Sequence, residues 1–144
     1  MLEPGWGTIW QGGAVGAAID APPFTDPVLV VTMDAGEDDT PYLNHTSVQA
    51  ILNVWIEDSP SACLEDGTLK ALAQGVIGWL AAGGNAYLHC HAGVSRASYI
   101  DVAVHCTALG ISADDALARI RAQRSVANPN SGFWAQLTRL WPVT

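Results

Sequence analysis

A cysteine and an arginine with five residues between them carry the clearest chemistry in this sequence. Residues 87–96 read YLHCHAGVSR: an apolar stretch leads to Cys90, a loop of small residues follows, and Arg96 closes the loop. Successive backbone N–H groups in such a loop, with the N-terminus of a following helix, form a cradle for an anion. The closing arginine can hold two phosphate oxygens at once. Because the same positive field favours a thiolate, the segment predicts a nucleophilic cysteine facing a bound tetrahedral oxyanion.

Cleavage of a phosphate ester by a thiolate also needs a carboxyl group. The leaving oxygen must be protonated and a water must later be activated, and one carboxyl group can serve both steps. Asp58 is the candidate, because it lies in the turn-forming stretch EDSP that follows a predicted strand. Alternation along the strand would point Glu57 and Asp58 to opposite faces, so we expect only one of them to reach the cradle.

The elements that must position these residues alternate between strands and helices. Apolar and β-branched runs predict strands over residues 8–11, 28–33, 48–56 and 86–89, the first stopped by Gly12 and Gly13. Apolar spacing and capping residues predict helices over about 66–82, 96–109, 113–124 and 131–141, with Asp66 as a cap. A brief helix over 14–19 and an exposed acidic loop over 34–44, which includes Glu37, Asp38 and Asp39, complete the prediction.

This alternation predicts one α/β domain over residues 1–144, with a central, mostly parallel sheet flanked by helices. Cys90 would then lie at the carboxyl end of a central strand, which is where ligand sites of such sheets are usually found.

The motif resembles a known family. His89, Cys90, Gly93 and Arg96 match the His-Cys-x5-Arg signature of the cysteine-dependent protein-tyrosine-phosphatase superfamily, and the run HCHAGVSR resembles its dual-specificity phosphatase subgroup. Residues 118–140, with an Asn-Pro-Asn turn and Phe133, are also similar to that subgroup, so the resemblance covers roughly residues 48–141.

The resemblance implies a dual-specificity-phosphatase-like fold and hydrolysis of phosphomonoesters through a phosphocysteine intermediate. It implies Cys90 as nucleophile, Asp58 as general acid and then base, and His89 as the residue that tunes the thiolate. The phosphate would be bound by Arg96 and by the loop residues His91, Ala92, Gly93, Val94 and Ser95. No cofactor and no metal are expected, because neighbouring strand residues such as His89 and Cys90 point to opposite faces and the sequence has no second Cys/His pair with zinc spacing.

One position departs from the family pattern. Ala97 stands where a serine or threonine usually follows the arginine and helps the cysteine sulfur leave during hydrolysis of the phosphoenzyme. Three interpretations stay open: a slow second step, replacement of the hydroxyl by Ser95 or Ser98, or phosphate binding with little turnover.

The charge and hydropathy of the sequence limit the classes of partner that we expect. The chain has a formal net charge of −8 and only six lysines and arginines, which disfavours nucleic acid and anionic membranes as partners. No apolar run is long enough to span a bilayer and no secretory signal is visible, so with three cysteines at irregular spacing we expect a cytoplasmic protein.

The expected substrates are phosphorylated proteins or small phosphomonoesters, with phosphotyrosine first and phosphoserine and phosphothreonine next. A phosphoinositide or an RNA 5′-phosphate would suit the same chemistry but not the negative charge. The alternatives are a phosphate-binding pseudophosphatase and, with a poorer fit, sulfur transfer or arsenate reduction.

Other polar and thiol residues have open roles. Cys106 is expected to be a small core residue, and Cys63 is a candidate partner that would form a disulfide with oxidised Cys90. Asp101, near the start of an apolar helix, either supports the loop or lies at a partly exposed position.

Overall fold

The computed structural model describes residues 2–13, 27–33, 46–90 and 94–144. Within them, four strands form one sheet in the order β1-β4-β2-β3: β1 (Ile9–Gly13), β2 (Val28–Thr32), β3 (Val48–Asn53) and β4 (Asn85–Cys90). All three pairings are parallel, which confirms the predicted fold class. The helix predicted over 14–19 and the acidic loop over 34–44 lie outside the described residues.

The described part of the chain also contains four helices: α1 (Asp66–Ala81), α2 (Arg96–Leu109), α3 (Ala113–Gln123) and α4 (Ser131–Leu140). Two of their ends show why they lie where they do. Gly110 ends α2 in the left-handed conformation with φ 65°. Ser112 caps α3, because its side chain accepts a hydrogen bond from the backbone N–H of Asp115.

The centre of the sheet is β4, which lies between β1 and β2 and is buried along its whole length. Its side chains alternate between two faces, as they must in a strand. Ala86, Leu88 and Cys90 pack into the main core with apolar residues of all four helices. Tyr87 packs on the other face with Val28 and Val30 of β2. Burial on both faces explains why apolar side chains stand at adjacent positions 86–88 instead of alternating with polar ones.

Apart from shifts of a single residue at the ends of several elements, two strand ends and the role of Asp66 differ from the prediction. β1 continues through Gly12 and Gly13, because Gly12 lets the Tyr87 side chain cross: a Cβ there would lie 2.4 Å from the Tyr87 hydroxyl. β3 ends at Asn53 rather than at residue 56, although the N–H groups of Val54 and Ile56 still donate to the oxygens of Thr32 and Met33. Asp66 begins α1 rather than capping it, and its carboxylate is bound by side chains of α4.

No helix of the described residues is long and apolar enough to cross a membrane.

Candidate active site

Cys90 lies where the sequence predicts a nucleophile. It is the last residue of β4 and is 2% exposed, on the core face of the sheet. The helix α2 begins at Arg96, so its positive N-terminal end follows the predicted cradle directly. Three residues of the cradle, His91, Ala92 and Gly93, lie outside the described residues.

Arg96 is joined to the segment that leads to Asp58. Its Nη1 donates a hydrogen bond to the backbone oxygen of Ile56, with a nitrogen–oxygen distance of 3.0 Å. A guanidinium carries five N–H donors in a rigid fork, so this bond also sets the orientation of the whole group. The contact therefore joins the closing residue of the cradle to the segment that follows β3.

Asn130 connects the cradle to Asp58. Its backbone N–H donates to Ser95 Oγ at 2.9 Å, and its side-chain Nδ2 donates to Asp58 Oδ1 at 2.9 Å. Its Oδ1 accepts from the backbone N–H of Phe133 and so caps α4. A second backbone bond, from the N–H of Asn128 to the oxygen of Val94, fixes the same turn against the cradle. Asn130 thus brings Asp58 to the end of the predicted phosphate loop.

Both carboxylates of the EDSP turn are exposed. Within the described residues, only the carboxylate of Asp58 accepts a hydrogen bond. The backbone turns there, with the N–H of Ser59 bonded to the oxygen of Glu57. This arrangement agrees with the expectation that one of the two acids is directed to the cradle. The role of Asp58 as general acid and base remains a prediction.

A close contact seats α4 on the Asp58 turn. A Cβ added to Gly132 would lie 1.8 Å from the backbone oxygen of Pro60, a distance that no side chain tolerates. Only glycine at this position lets the start of the helix approach the turn so closely.

The segment between the Asp58 turn and α1 is held at Leu64 by buried side chains. Tyr99 accepts a hydrogen bond from the backbone N–H of Leu64 at 3.2 Å and donates one to Gln136 Oε1. Gln136 Nε2 donates in turn to the oxygen of Leu64 at 2.7 Å. Nearby, hydrogen bonds from Arg139 and then Gln136 lower the pKa of Asp66 to about 2. The loop that carries Asp58 is therefore fastened at both ends.

His89 is buried on the sheet face opposite Cys90. Its Nε2 lies 2.8 Å from Thr32 Oγ1, and its ring stacks on Tyr87 with 5.6 Å between ring centroids. Its backbone oxygen accepts a hydrogen bond from Met33 N at 3.0 Å. His89 is thus fixed by the neighbouring strand β2, and its tuning of the thiolate remains a prediction.

The two serines that could replace the missing hydroxyl differ in their partners. Ser98 is fully buried and donates to Gln11 Oε1 of β1 at 2.9 Å, which directs its proton away from the cradle. Ser95 Oγ is the acceptor in its bond to Asn130, so its own O–H is the one that can donate elsewhere. Of the two, Ser95 is better placed to assist at the cradle.

The remaining thiols are poor nucleophiles. Burial raises the pKa of Cys106 to about 12, as expected for a core residue. Burial also raises the pKa of Cys63, whose Sγ lies 4.0 Å from the oxygen of Pro60. A thiol with a raised pKa attacks slowly, which weighs against rapid disulfide formation with Cys90, although that pairing remains a prediction. No group of three His, Cys, Asp or Glu side chains in the described ranges could hold a metal ion.

Asp101 is 4% exposed, so the alternative of a partly exposed helix position is wrong. Its carboxylate accepts a hydrogen bond from Gln11 Nε2 at 2.7 Å and pairs with His105 Nδ1 at 2.9 Å. The partner on β1 is distant in sequence, so no local pattern could reveal it.

Known proteins resemble this chain in sequence and in fold. The family model for the catalytic domain of dual specificity phosphatases matches residues 16–141. Dual specificity protein phosphatase 15 of Mus musculus is 46% identical over 55 residues, which cover 38% of this chain and 23% of that protein. Dual specificity protein phosphatase 18 of Rattus norvegicus is 29% identical over 126 residues, covering 76% of this chain and 61% of that protein.

The crystal structure of human DUSP28 is similar over 96% of this chain and 92% of its own, with a TM-score of 0.77 and 25% sequence identity. This chain spans less than a quarter of the length of the mouse phosphatase that it matches. Because the family model covers most of the sequence, including the β4 strand, Cys90 and α2, the chain belongs to the dual specificity phosphatase family.

Proposed function

We propose that this chain is a cysteine-dependent phosphatase that hydrolyses phosphomonoesters, first of all phosphotyrosine in proteins and also phosphoserine and phosphothreonine. The observation that carries the proposal is the link through Asn130, which holds Asp58 beside Ser95 at the end of the loop that Cys90 begins. Nucleophile, phosphate loop and carboxyl group are the three parts that the reaction needs.

In the proposed mechanism, the Cys90 thiolate attacks phosphorus, and the bond from phosphorus to the ester oxygen breaks as the sulfur–phosphorus bond forms. Asp58 gives its proton to the departing oxygen. Arg96 and the backbone N–H groups of residues 91–96 hold the three equatorial oxygens. Asp58 then takes a proton from a water that attacks the phosphocysteine, which releases phosphate and the thiolate.

A second candidate function is a phosphate-binding module with little turnover. Ala97 supports it, because no hydroxyl follows the arginine, and Ser98 supports it further because its hydroxyl is bonded to Gln11. The presence of Cys90, Arg96 and Asp58 together favours the enzyme. The chain's net charge of −8 disfavours phosphoinositide and RNA 5′-phosphate substrates. We also propose that the protein acts in the cytoplasm.

The test follows both products of an aryl phosphate, phenol and inorganic phosphate, with purified protein and with Cys90→Ser. Steady release that is lost in Cys90→Ser supports the phosphatase, and Asp58→Asn should then slow turnover of esters with poor leaving groups by about a hundredfold. An Asp58→Asn variant as active as the parent would remove Asp58 from the mechanism. No release, with saturable binding of tungstate, would favour the binding module.

A further inference from the structure

Trp55 is an exposed aromatic residue at the carboxyl edge of the sheet. It is 66% exposed, whereas the other five tryptophans, all within the described ranges, are partly buried. Its neighbours Val54 and Ile56 both pack against the core. Because side chains alternate along an extended segment, Trp55 lies on the side away from the core. A single exposed apolar residue is ordinary, so its importance depends on where it lies.

A ladder of hydrogen bonds places Trp55 near the candidate active site. Met33 N donates to the oxygen of His89 at 3.0 Å, and Ile56 N donates to the oxygen of Met33 at 3.2 Å. The oxygen of Ile56 then accepts the bond from Arg96. The segment that contains Trp55 is therefore two strand positions from the end of β4, where Cys90 lies.

The spacing between neighbouring strands gives the distance from the end of β4 to the Trp55 segment, which a substrate would have to span. Neighbouring strands lie about 4.8 Å apart, so about 10 Å separates the end of β4 from the Trp55 segment. An extended peptide advances about 3.3 Å per residue. A residue two to four positions from a phosphorylated residue held at Cys90 therefore matches this separation along the edge of the sheet.

Two acidic residues, Glu57 and Asp58, lie within three positions of Trp55 in the sequence. Residues 1–69 contain no lysine or arginine and eleven of the fourteen acidic residues. Glu57 is exposed and lies two positions after Trp55. In an extended segment, residues two positions apart lie on the same side of the chain. An exposed indole face attracts a cation, and a carboxylate beside it adds to the attraction.

We propose that Trp55 and Glu57 form a docking point for a lysine or arginine side chain that lies two to four residues from the phosphorylated residue of a peptide substrate. The proposal deepens the proposed function and rests on it. An acidic residue at the same place in a substrate would be repelled by Glu57, so the docking point would also select against acidic flanks.

The test uses three phosphotyrosine peptides that differ only in carrying arginine, leucine or glutamate three positions from the phosphotyrosine, in series for each side. We measure kcat/KM for phosphate release, with phenyl phosphate as the substrate that cannot reach Trp55. The parent is expected to favour the arginine peptide over the glutamate peptide by at least tenfold on one side. Trp55→Ala should reduce that ratio to threefold or less and leave phenyl phosphate unchanged.

Matched variants separate docking from general damage. Trp55→Phe retains an aromatic face and should retain most of the preference, and Glu57→Gln should lower the ratio of arginine to leucine peptide. Val143→Ala removes another highly exposed apolar side chain, near the C-terminus, and should change no ratio. A parent without preference, or a Trp55→Ala variant that loses activity equally on peptides and phenyl phosphate, would overturn the proposal.

A measurement of peptide binding makes this test independent of turnover. The affinities of the same labelled peptides for Cys90→Ser and for the double variant Cys90→Ser with Trp55→Ala are measured by fluorescence polarisation. If the parent fails to hydrolyse phenyl phosphate but Cys90→Ser binds the arginine peptide at least tenfold more tightly through Trp55, only the enzymatic function fails. Equal affinities for all three peptides would reject the docking point whether or not the enzyme turns over.

Discussion

At the scale of single residues, Asn130 combines three hydrogen bonds that serve different parts of the molecule. Its Oδ1 caps α4, its backbone N–H binds Ser95, and its Nδ2 binds Asp58. The cap and the bond to Asp58 can be separated by mutation, because serine is as good an N-cap as asparagine but cannot reach Asp58.

Asn130→Ser is expected to change the free energy of unfolding by less than about 1 kcal/mol, since the cap remains. For phenyl and alkyl phosphates, whose leaving groups need a proton, we expect kcat/KM to fall about tenfold because one hydrogen bond that orients Asp58 is lost. Aryl phosphates with acidic phenols should change little. An equal loss across the whole series of leaving groups would mean that Asn130 acts through the cradle instead.

Ala97 leads to a prediction about the second chemical step. With Ser98 bonded to Gln11, Ser95 is the serine left to assist departure of the sulfur, and its Oγ is held by Asn130, so phosphocysteine should accumulate. Rapid mixing with an aryl phosphate should show a burst of phenol followed by slower phosphate release. Ala97→Ser should raise the rate of phosphate release about tenfold, the value of one hydrogen bond to a charged group. Release of phenol and phosphate at one common rate in the parent would contradict this.

At the scale of elements, the contact between α4 and the Asp58 turn depends on Gly132. Gly132→Ala should lower the free energy of unfolding by about 1–3 kcal/mol and reduce activity, because the new methyl group overlaps the Pro60 oxygen and displaces the turn. Gly75→Ala in α1 is the matched control: a Cβ there meets nothing within 4 Å, so it should stabilise the protein by up to about 1 kcal/mol. Urea titration measures both. Equal effects of the two substitutions would show that the close contact does not exist.

The pair formed by Asp101 and His105 within α2 makes stability depend on pH. Burial opposes the charged form of His105, but the hydrogen bond and charge of Asp101 outweigh burial, and the pKa of His105 is raised above 6.5. Gln11 binds the same carboxylate from β1, and the charge of Arg119 on α3 acts against the shift.

A raised pKa means that the stabilisation is complete below about pH 6.5 and is lost as pH rises through the folded value. As pH rises above 6.5, the Tm of the parent should therefore fall more steeply than that of His105→Gln, which is neutral throughout. Differential scanning fluorimetry across this range measures the difference. Parallel curves for the two proteins would remove His105 from the pH dependence.

At the scale of the whole molecule, charge is unevenly distributed along the chain. All six lysines and arginines follow residue 69, and the formal net charge is −8. A phosphate dianion is therefore repelled at long range and held only by local groups at the cradle.

Salt should reveal this repulsion. Raising ionic strength from about 0.02 M to 0.2 M shortens the screening length to below about 10 Å. We expect kcat/KM for phenyl phosphate to rise about twofold, because repulsion by the net charge is screened. For a phosphopeptide with several arginines it should fall. A decrease for phenyl phosphate would show that the local field of the cradle outweighs the net charge.

The sequence predicted most elements of this molecule because their signals are local. The buried run of β4, the helix after Arg96 and the turn at residues 57–60 follow from patterns within a few residues, and so does the parallel sheet. The errors are at places where a distant residue decides. β1 passes Gly12 because Tyr87 lies across it, and Asp66 enters α1 because Arg139 and Gln136 bind its carboxylate.

The sequence by itself determined the order of elements, the α/β class and the position of Cys90 before a helix, since each depends on periodicity, capping or a short motif. Only the tertiary structure decided that Asn130 joins Ser95 to Asp58, that Arg96 binds the oxygen of Ile56, and that Ser98 is bonded to Gln11. Each of these contacts joins residues at least 35 positions apart. Their pairing is set by how strands and helices pack, which a local pattern does not encode.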